Sequence, residues 1–276
     1  MKRIVFVSLC FLAVVFSTRA QVLTPQDDGI IPDPPKAYHH NQVFAYPYLR
    51  EADIMYSTRH WERIDLREKI NHHLYYPIKA VPDRKSLYDV IIDGILVEGT
   101  IVEVFADDRF EIPLTPEQVQ NYAAEIDTTR DPDDPNIILL VDTIKIKSNN
   151  VIAWEIKSDW YFDKRRGEMK NRIIGIAPVV EHPTNHEIYP LFWVWFPDAR
   201  YALATHVAFN GQNNAARLTY DQVFHIRMFN STILKEDNVY DRSIKDYKRN
   251  SPLEQLLEAQ RIKENLRDFE NELWEY

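Results

Sequence analysis

The sequence is short of cysteine and glycine, and these two shortages exclude several classes of site. Its one cysteine, Cys10, lies within the first twenty residues. If that segment is removed, the remaining chain can form no disulfide, no cysteine-ligated zinc site and no cysteine nucleophile. Only six glycines are present, and the sequence contains neither a GxGxxG fingerprint nor a Walker phosphate loop. Nucleotide sites of those two kinds are therefore excluded.

The amino terminus carries an apolar run that is too short to cross a bilayer. Residues 4–16 make a run of 13 residues, whereas a spanning helix needs about 20. Lys2 and Arg3 precede the run, and the small residues Thr18 and Ala20 follow it. This order of charge, apolar run and small residues is typical of a cleavable signal peptide. We expect residues 1–20 to be removed and the chain to be exported.

The sequence has no excess of positive charge. Its formal net charge is −9 at pH 7, and removal of the three cations in residues 1–20 leaves −12. Nucleic acids and anionic membrane surfaces both select for lysine and arginine. We therefore expect no nucleic-acid partner and no simple adhesion to a membrane surface.

Motifs of common catalytic sites are also missing. The sequence contains no GxSxG elbow and no HExxH motif. His182 and His186 have the spacing of helical metal ligands, but Pro183 disfavours a helix at His182. We expect no catalytic residue, no cofactor and no metal site, and hence a protein that is not an enzyme.

Two alternative functions depend on small groups of residues. A cell-envelope hydrolase would need an acid and base pair, for which the candidates are Asp107, Asp108 and Glu111. A secreted carbohydrate-binding module would need exposed aromatic rings, for which the candidates are Trp160, Trp193 and Trp195. Charged hairpin tips are common, and we assign Trp193 and Phe192 to the protein core. Both alternatives are therefore weaker than a non-catalytic role.

The sequence predicts an α+β fold with an arm at one end and a helix at the other. Residues 21–48 are rich in proline and predict an extended arm. Residues 49–250 predict the core domain, which is mainly an antiparallel sheet flanked by helices. Residues 251–276 predict an amphipathic helix, because its apolar positions recur at three- and four-residue steps.

Individual elements follow from caps and alternation. The region around Trp61 predicts a short helix or strand, followed by a helical turn. Capping residues predict helices over 86–96, 115–126, 198–206 and 219–229. Apolar and β-branched runs predict strands over 101–106, 110–114, 137–147, 151–162, 172–180 and 189–196. We expect the sheet to extend over residues of about 100 to 196.

Four segments resemble the GldN/PorN family of the type IX secretion system and gliding-motility machinery. They are READIMYSTRHWERIDLREKIN (50–71), SLYDVIIDGI (86–95), IKSDWYFDKRRGEMKNRIIGIAP (156–178) and LFWVWFPDAR (191–200). They occur in the family's order and span nearly the whole chain after residue 20. The resemblance implies a periplasmic ring subunit held at the inner face of the outer membrane through a lipoprotein of the GldK/PorK type. It also implies contact with the periplasmic part of a GldM/PorM-type motor protein and self-association within the ring.

Exposed aromatic and arginine side chains are enriched at protein interfaces. On that basis we expect partner contacts from the arm, from the charged stretch around Trp61 and from a hairpin near Trp160. The predicted interface residues are Tyr38, Phe44, Tyr46, Tyr48, Arg59, Trp61, Arg63, Arg67, Trp160, Phe162, Arg165 and Arg166.

Overall fold

The structure is a computed structural model that describes residues 43–81, 84–130, 138–181, 186, 188–211, 217–249 and 251–274. Side chains are described for these residues except 125–145, 273 and 274. The described residues belong to one unit of the chain, His39–Tyr276. The predicted signal peptide and most of the predicted arm, including Tyr38, lie outside the described residues.

The described strands form two antiparallel sheets. The larger sheet has seven strands in the order β2-β8-β6-β5-β1-β9, with β7 also paired to β6, while β3 and β4 pair only with each other. The strands are β1 (Ile54–Asp65), β2 (Val104–Phe105), β3 (Ala124–Arg130), β4 (Ile138–Lys145), β5 (Val151–Asp163), β6 (Glu168–Glu181), β7 (Ile188–Pro190), β8 (Trp193–Trp195) and β9 (Thr232–Glu236). The long strands β1, β5 and β6 form its middle.

Helices connect the strands and pack beside the sheet. They are α1 (His72–Tyr75), α2 (Leu87–Leu96), α3 (Pro116–Tyr122), α4 (Phe196–Thr205), α5 (Tyr220–His225), α6 (Ile244–Tyr247) and α7 (Pro252–Trp274), with 3₁₀ turns at Glu51–Asp53, Lys69–Asn71 and Ser148–Asn150. Their starts follow from local chemistry, since Ser86, Thr115 and Thr219 each accept a hydrogen bond from the backbone three residues on. The predicted α+β class is confirmed.

The main core lies between one face of the sheet and the helices α2, α4 and α5. Trp154 and Ile156 of β5 are fully buried there, against Ile91 of α2, Leu203 of α4 and Phe224 of α5. Successive strand residues point to opposite faces. The same alternation therefore places Glu155 and Lys157 on the other face, where the sheet carries a row of charges.

Helix α7 covers a second, smaller core at the β9 edge of the sheet. Its members are Ile233, Ile244, Ala259 and Ile262. Further along α7, the ring of Phe269 lies 4.5 Å from that of Tyr56 on β1, measured between ring centroids. The helix thus docks on its own domain through one stripe. Among the described residues, no helix combines the length and the apolar character needed to cross a bilayer.

The sheet is wider than the predicted range of 100–196. The segment around Trp61, for which helix and strand were both open, is the twelve-residue strand β1, paired with β5 and β9. The strand β9 was missed altogether. Its five residues alternate only weakly between apolar and polar, so the sequence pattern does not indicate a strand. Pairing with β1 decides their conformation.

Three predicted helix boundaries were also wrong. Helix α5 ends at His225 rather than Phe229. Helix α3 ends at Tyr122 rather than Ile126, because the chain enters β3 at Ala124. Helix α4 starts at Phe196, and Asp198 lies in its first turn. The Asp198 carboxylate instead accepts hydrogen bonds from the backbone N–H groups of Val102 and Glu103, at 2.7 and 2.9 Å.

Candidate partner-binding surface

The last residues of the predicted arm bind a buried ion pair between α4 and α5, formed by Arg200 and Asp221. This ion pair is called the seat below. Arg200 and Asp221 form a buried ion pair at 2.7 Å, with side chains 7% and 2% exposed. The backbone N–H of Phe44 donates to Asp221 at 3.2 Å, and Arg200 donates to the Phe44 carbonyl at 2.5 Å. An extended backbone offers a donor and an acceptor at each residue. The ion pair binds both the N–H and the carbonyl of Phe44, as it would bind the backbone of a separate peptide.

Cation–π contacts fix the next residues of the arm. The guanidinium carbons of Arg200 and Arg172 lie 4.2 and 5.0 Å from the ring centroid of Tyr46. Arg172 also donates to the Pro47 carbonyl at 3.2 Å. Burial raises the pKa of Tyr46, while Arg200 opposes the increase. Tyr48, in contrast, is 75% exposed, so these contacts end before it.

The charged face of the sheet carries matched ion pairs between β1 and β5. Arg59 lies opposite Asp159 and Arg63 lies opposite Glu155 in the strand register. Arg59 binds both oxygens of Asp159, at 2.7 and 2.9 Å, and Arg63 binds Glu155 at 2.6 Å. These arginines are thus engaged within the sheet, where cross-strand pairs of opposite charge stabilise the pairing.

Trp61 lies between these pairs and is surrounded by two lysines. The ammonium nitrogens of Lys157 and Lys235 lie 5.2 and 4.2 Å from its ring centroid. The indole N–H donates to the Asp108 carboxylate at 2.8 Å, and Lys157 donates to the Asp108 carbonyl. Burial lowers the pKa of Lys157, and Asp108 partly restores it. These two hydrogen bonds to Asp108 therefore hold the loop after β2 against the sheet.

The opposite face carries a buried carboxylate within β1. Glu62 accepts hydrogen bonds from Arg227 at 2.6 Å, Ser231 at 2.5 Å, Ser158 at 3.2 Å and the Trp160 indole at 3.4 Å. Burial alone would raise the pKa of Glu62. Arg227 and the hydrogen bonds outweigh burial, so the pKa lies below its ordinary value.

The turn between β5 and β6 presents two arginines to solvent. Asp163 closes the turn, because its carboxylate accepts from the backbone of Arg165 at 2.9 Å and from the guanidinium of Arg166 at 2.7 Å. Both arginines are exposed, whereas Phe162 is only 7% exposed. The backbone N–H of Lys164 donates to the Asp53 carbonyl at 2.9 Å, which joins the turn to the start of β1.

The structure divides the predicted interface residues into three groups. Phe44, Tyr48, Arg67, Arg165 and Arg166 are exposed. Arg59, Trp61, Arg63 and Trp160 are partly buried within networks of the domain, as is Tyr46, while Phe44 stacks on His225 with ring centroids 5.6 Å apart. Phe162 is buried. Sequence reasoning missed two ion pairs because their members are far apart in the chain. Arg200 and Asp221 are separated by 21 residues, and Glu62 and Arg227 by 165 residues.

The residues of the two alternative functions have structural partners. The Asp107 carboxylate accepts from the backbone of Glu111 and Ile112, at 3.2 and 3.3 Å, which shapes a turn. Phe192 and Trp193 are buried, as predicted for core residues. The Trp195 ring lies 5.0 Å from that of Phe110, and Trp160 lies on the Glu62 network. The structure therefore does not assemble Trp160, Trp193 and Trp195 into one sugar-binding groove.

Comparison with known protein families identifies a match. The sequence model of the family described as "GldN: Gliding motility associated protein GldN" matches residues 49–275. This range covers every described strand and helix. No curated protein matches the chain.

Proposed function

The chain belongs to the GldN family and is therefore a component of the gliding-motility and type IX secretion machinery, and from this premise we propose that it is a non-catalytic subunit of a periplasmic ring. The family match carries the proposal. The described residues support it, because their clusters of charged side chains form ion pairs and turn hydrogen bonds within the domain.

The proposed partners are an outer-membrane lipoprotein of the GldK/PorK type and the periplasmic part of a GldM/PorM-type motor protein. In this arrangement the lipoprotein holds the chain at the inner face of the outer membrane, and further copies of the chain complete the ring. The acidic net charge of −9 is consistent with attachment through a protein rather than through anionic lipid.

We place the lipoprotein contact at the end of the sheet formed by the β5–β6 turn. Arg165 and Arg166 are exposed there, and the Lys164 backbone ties the turn to Asp53 at the start of β1. Tyr48 lies five residues before Asp53 and is largely exposed. Exposed tyrosine and arginine side chains are the residue types that most often dominate binding energy at interfaces.

Co-expression with the lipoprotein tests the proposal. Residues 21–276 would be produced with a GldK/PorK-type lipoprotein, and the product would be sized by multi-angle light scattering. We expect a large, stable complex. A chain that remains monomeric in the presence of the lipoprotein would contradict the proposed function.

Charge reversal tests the placement of the contact. Arg165→Glu, alone and with Tyr48→Ala, should weaken lipoprotein binding at least about tenfold, or about 1.4 kcal/mol. Lys245→Glu on α6 is the matched control, because it makes the same charge change at another exposed site. Equal binding by the wild type and the Arg165 and Tyr48 variants would move the contact elsewhere on the surface.

A further inference from the structure

The segment that binds the seat can leave the domain without breaking a strand or a helix. Among the described residues, 43–50 lie outside all strands and helices, and the first element of the domain begins at Glu51. Residues 43–47 are called the strap below. Tyr48 and Arg50 are exposed between the strap and that first element. Detachment of the strap is therefore a local opening that keeps the hydrogen bonds of the sheet and helices.

The seat does not need the strap to hold its shape, because its two members bind each other at two points. Arg200 Nε donates to one oxygen of Asp221 at 2.7 Å, and Arg200 Nη2 donates to the other at 3.1 Å. A two-point pair of this kind fixes the orientation of both groups. The donor and acceptor that bind the Phe44 backbone therefore stay in position for the same segment of another chain.

The strap is extended by its own sequence before it binds. Pro47 has a fixed φ angle, and the residue before a proline, here Tyr46, favours extended backbone. A ligand that is already in its bound conformation loses less entropy on binding. The side chains add specificity, since the Phe44 ring stacks on His225 at 5.6 Å and the Tyr46 ring lies 4.2 Å from the guanidinium carbon of Arg200. The strap thus has the properties of a peptide ligand.

A second copy of the chain is the occupant that these contacts fit, because each copy carries the same strap, VFAYP. Exchange of an identical segment between copies replaces each contact with the same contact, so it is a low-cost route to association. The three residues between Pro47 and Glu51 span about 10 Å when extended, so only a closely packed neighbour can receive the strap. A strap passed from each copy to the next makes a head-to-tail interface, which is the kind that closes rings.

We propose that the seat is an assembly site, at which the strap of one copy binds the Arg200–Asp221 pair of the next copy. In a single copy the strap occupies its own seat, and in the ring the same segment joins neighbours. This inference rests on the proposed ring function, but the two can fail separately. A large complex with the lipoprotein but without strap exchange contradicts the exchange alone. Strap exchange in a chain that ignores the lipoprotein contradicts the ring function alone.

Cysteine trapping between two copies tests the exchange. Residues 21–276 contain no cysteine, so one chain would carry Phe44→Cys and a second, tagged chain His225→Cys, and a mixed cross-link by a short bis-maleimide joins two copies. The control replaces the second chain with Lys245→Cys, and all three positions are exposed. The Phe44 and His225 pair should give at least about fivefold more mixed dimer, because binding of the strap raises the local concentration of the two thiols. A yield equal to that of the control would overturn the proposal.

A labelled peptide tests recognition of the strap by the seat. The protein is residues 21–276 with Phe44→Pro and Tyr46→Ala, which removes the N–H donated to Asp221 and the ring beside Arg200 without altering the seat. By fluorescence anisotropy, a terminally blocked peptide of residues 43–50 should bind this variant at least about tenfold more tightly than a peptide with the same two changes. The wild-type protein should bind the first peptide more weakly than the variant does, because its own strap competes. Equal binding of the two peptides, or no binding of either, would overturn the proposal.

Discussion

At the scale of single residues, Glu62 shows how the fold maintains a charge in its interior. Its side chain lies on the inner face of β1 and is 3% exposed, yet Arg227, Ser231, Ser158 and Trp160 all donate to it. These donors come from β5 and from the chain before β9. Because the carboxylate gathers groups from distant parts of the sequence, it fixes how β5 and the approach to β9 sit around β1.

Glu62→Gln should destabilise the fold strongly. The amide cannot neutralise Arg227, and leaving one member of a buried pair uncompensated costs about 3 kcal/mol. The measurement is the free energy of unfolding in urea, followed by tryptophan fluorescence. Glu155→Gln is the matched control, since it removes a charge from the more exposed pair with Arg63 and should cost about 1 kcal/mol or less. Equal losses in the two variants would contradict this account of Glu62.

The pH dependence of the same comparison follows from the lowered pKa of Glu62. A carboxyl group whose pKa is lower in the folded state contributes stability above its ordinary pKa of 4.5. That contribution is lost as pH falls through the folded-state value. The stability difference between wild type and Glu62→Gln should therefore be constant from pH 5 to 7 and shrink below about pH 4.5. A difference that grows in acid would have the wrong sign.

At the scale of elements, α7 has one stripe that docks on the sheet and another that does not. Ala259 and Ile262 are buried against Ile233 of β9 and Ile244 of α6, and Lys263 donates to the Ser231 carbonyl. Leu256, on another side of the same helix, is 56% exposed.

Ile262→Ala should loosen α7 from the sheet. Removing a buried isoleucine side chain costs about 2–3 kcal/mol, and the small cluster has few other apolar members to retain the helix. Hydrogen exchange should quicken along α7 and β9 while β5 and β6 stay protected. Leu256→Ala, an exposed change on the same helix, should alter stability by less than about 0.5 kcal/mol. Similar exchange in the two variants would show that the second core contributes little.

At the scale of the whole molecule, net charge governs how copies of the chain meet. The chain carries −9 at pH 7, so copies brought together in the proposed ring repel each other at low ionic strength. Salt screens such repulsion, with a Debye length of about 10 Å at 0.1 M. Contacts between copies of the chain must therefore be attractive enough to overcome the repulsion between their net charges.

Self-association of the isolated chain should accordingly increase with salt. Sedimentation velocity between about 20 and 300 mM NaCl, where screening strengthens greatly, should show a growing oligomeric fraction. Lys245→Glu, which adds negative charge at an exposed site, should shift the increase to higher salt. Dissociation on adding salt would instead indicate an interface built from opposite charges.

Local chemistry made several elements predictable. Caps at Ser86, Thr115 and Thr219 fixed the starts of α2, α3 and α5, because a side-chain oxygen three residues from a backbone N–H acts without distant partners. The stripe of α7 was equally readable from its period. In contrast, β9 and the extent of β1 depended on pairing across the sheet, which a local window of sequence does not contain.

The sequence by itself determined the α+β class, the acidic charge, the caps and the family, because these depend on composition, on neighbours along the chain or on long distinctive segments. Only the tertiary structure decided which charged residues face each other. It joined Glu62 to Arg227, Arg200 to Asp221 and the end of the arm to both α4 and α5. The physical reason is that an ion pair or a cleft depends on distance in space, and strand pairing brings together residues that are far apart in the chain.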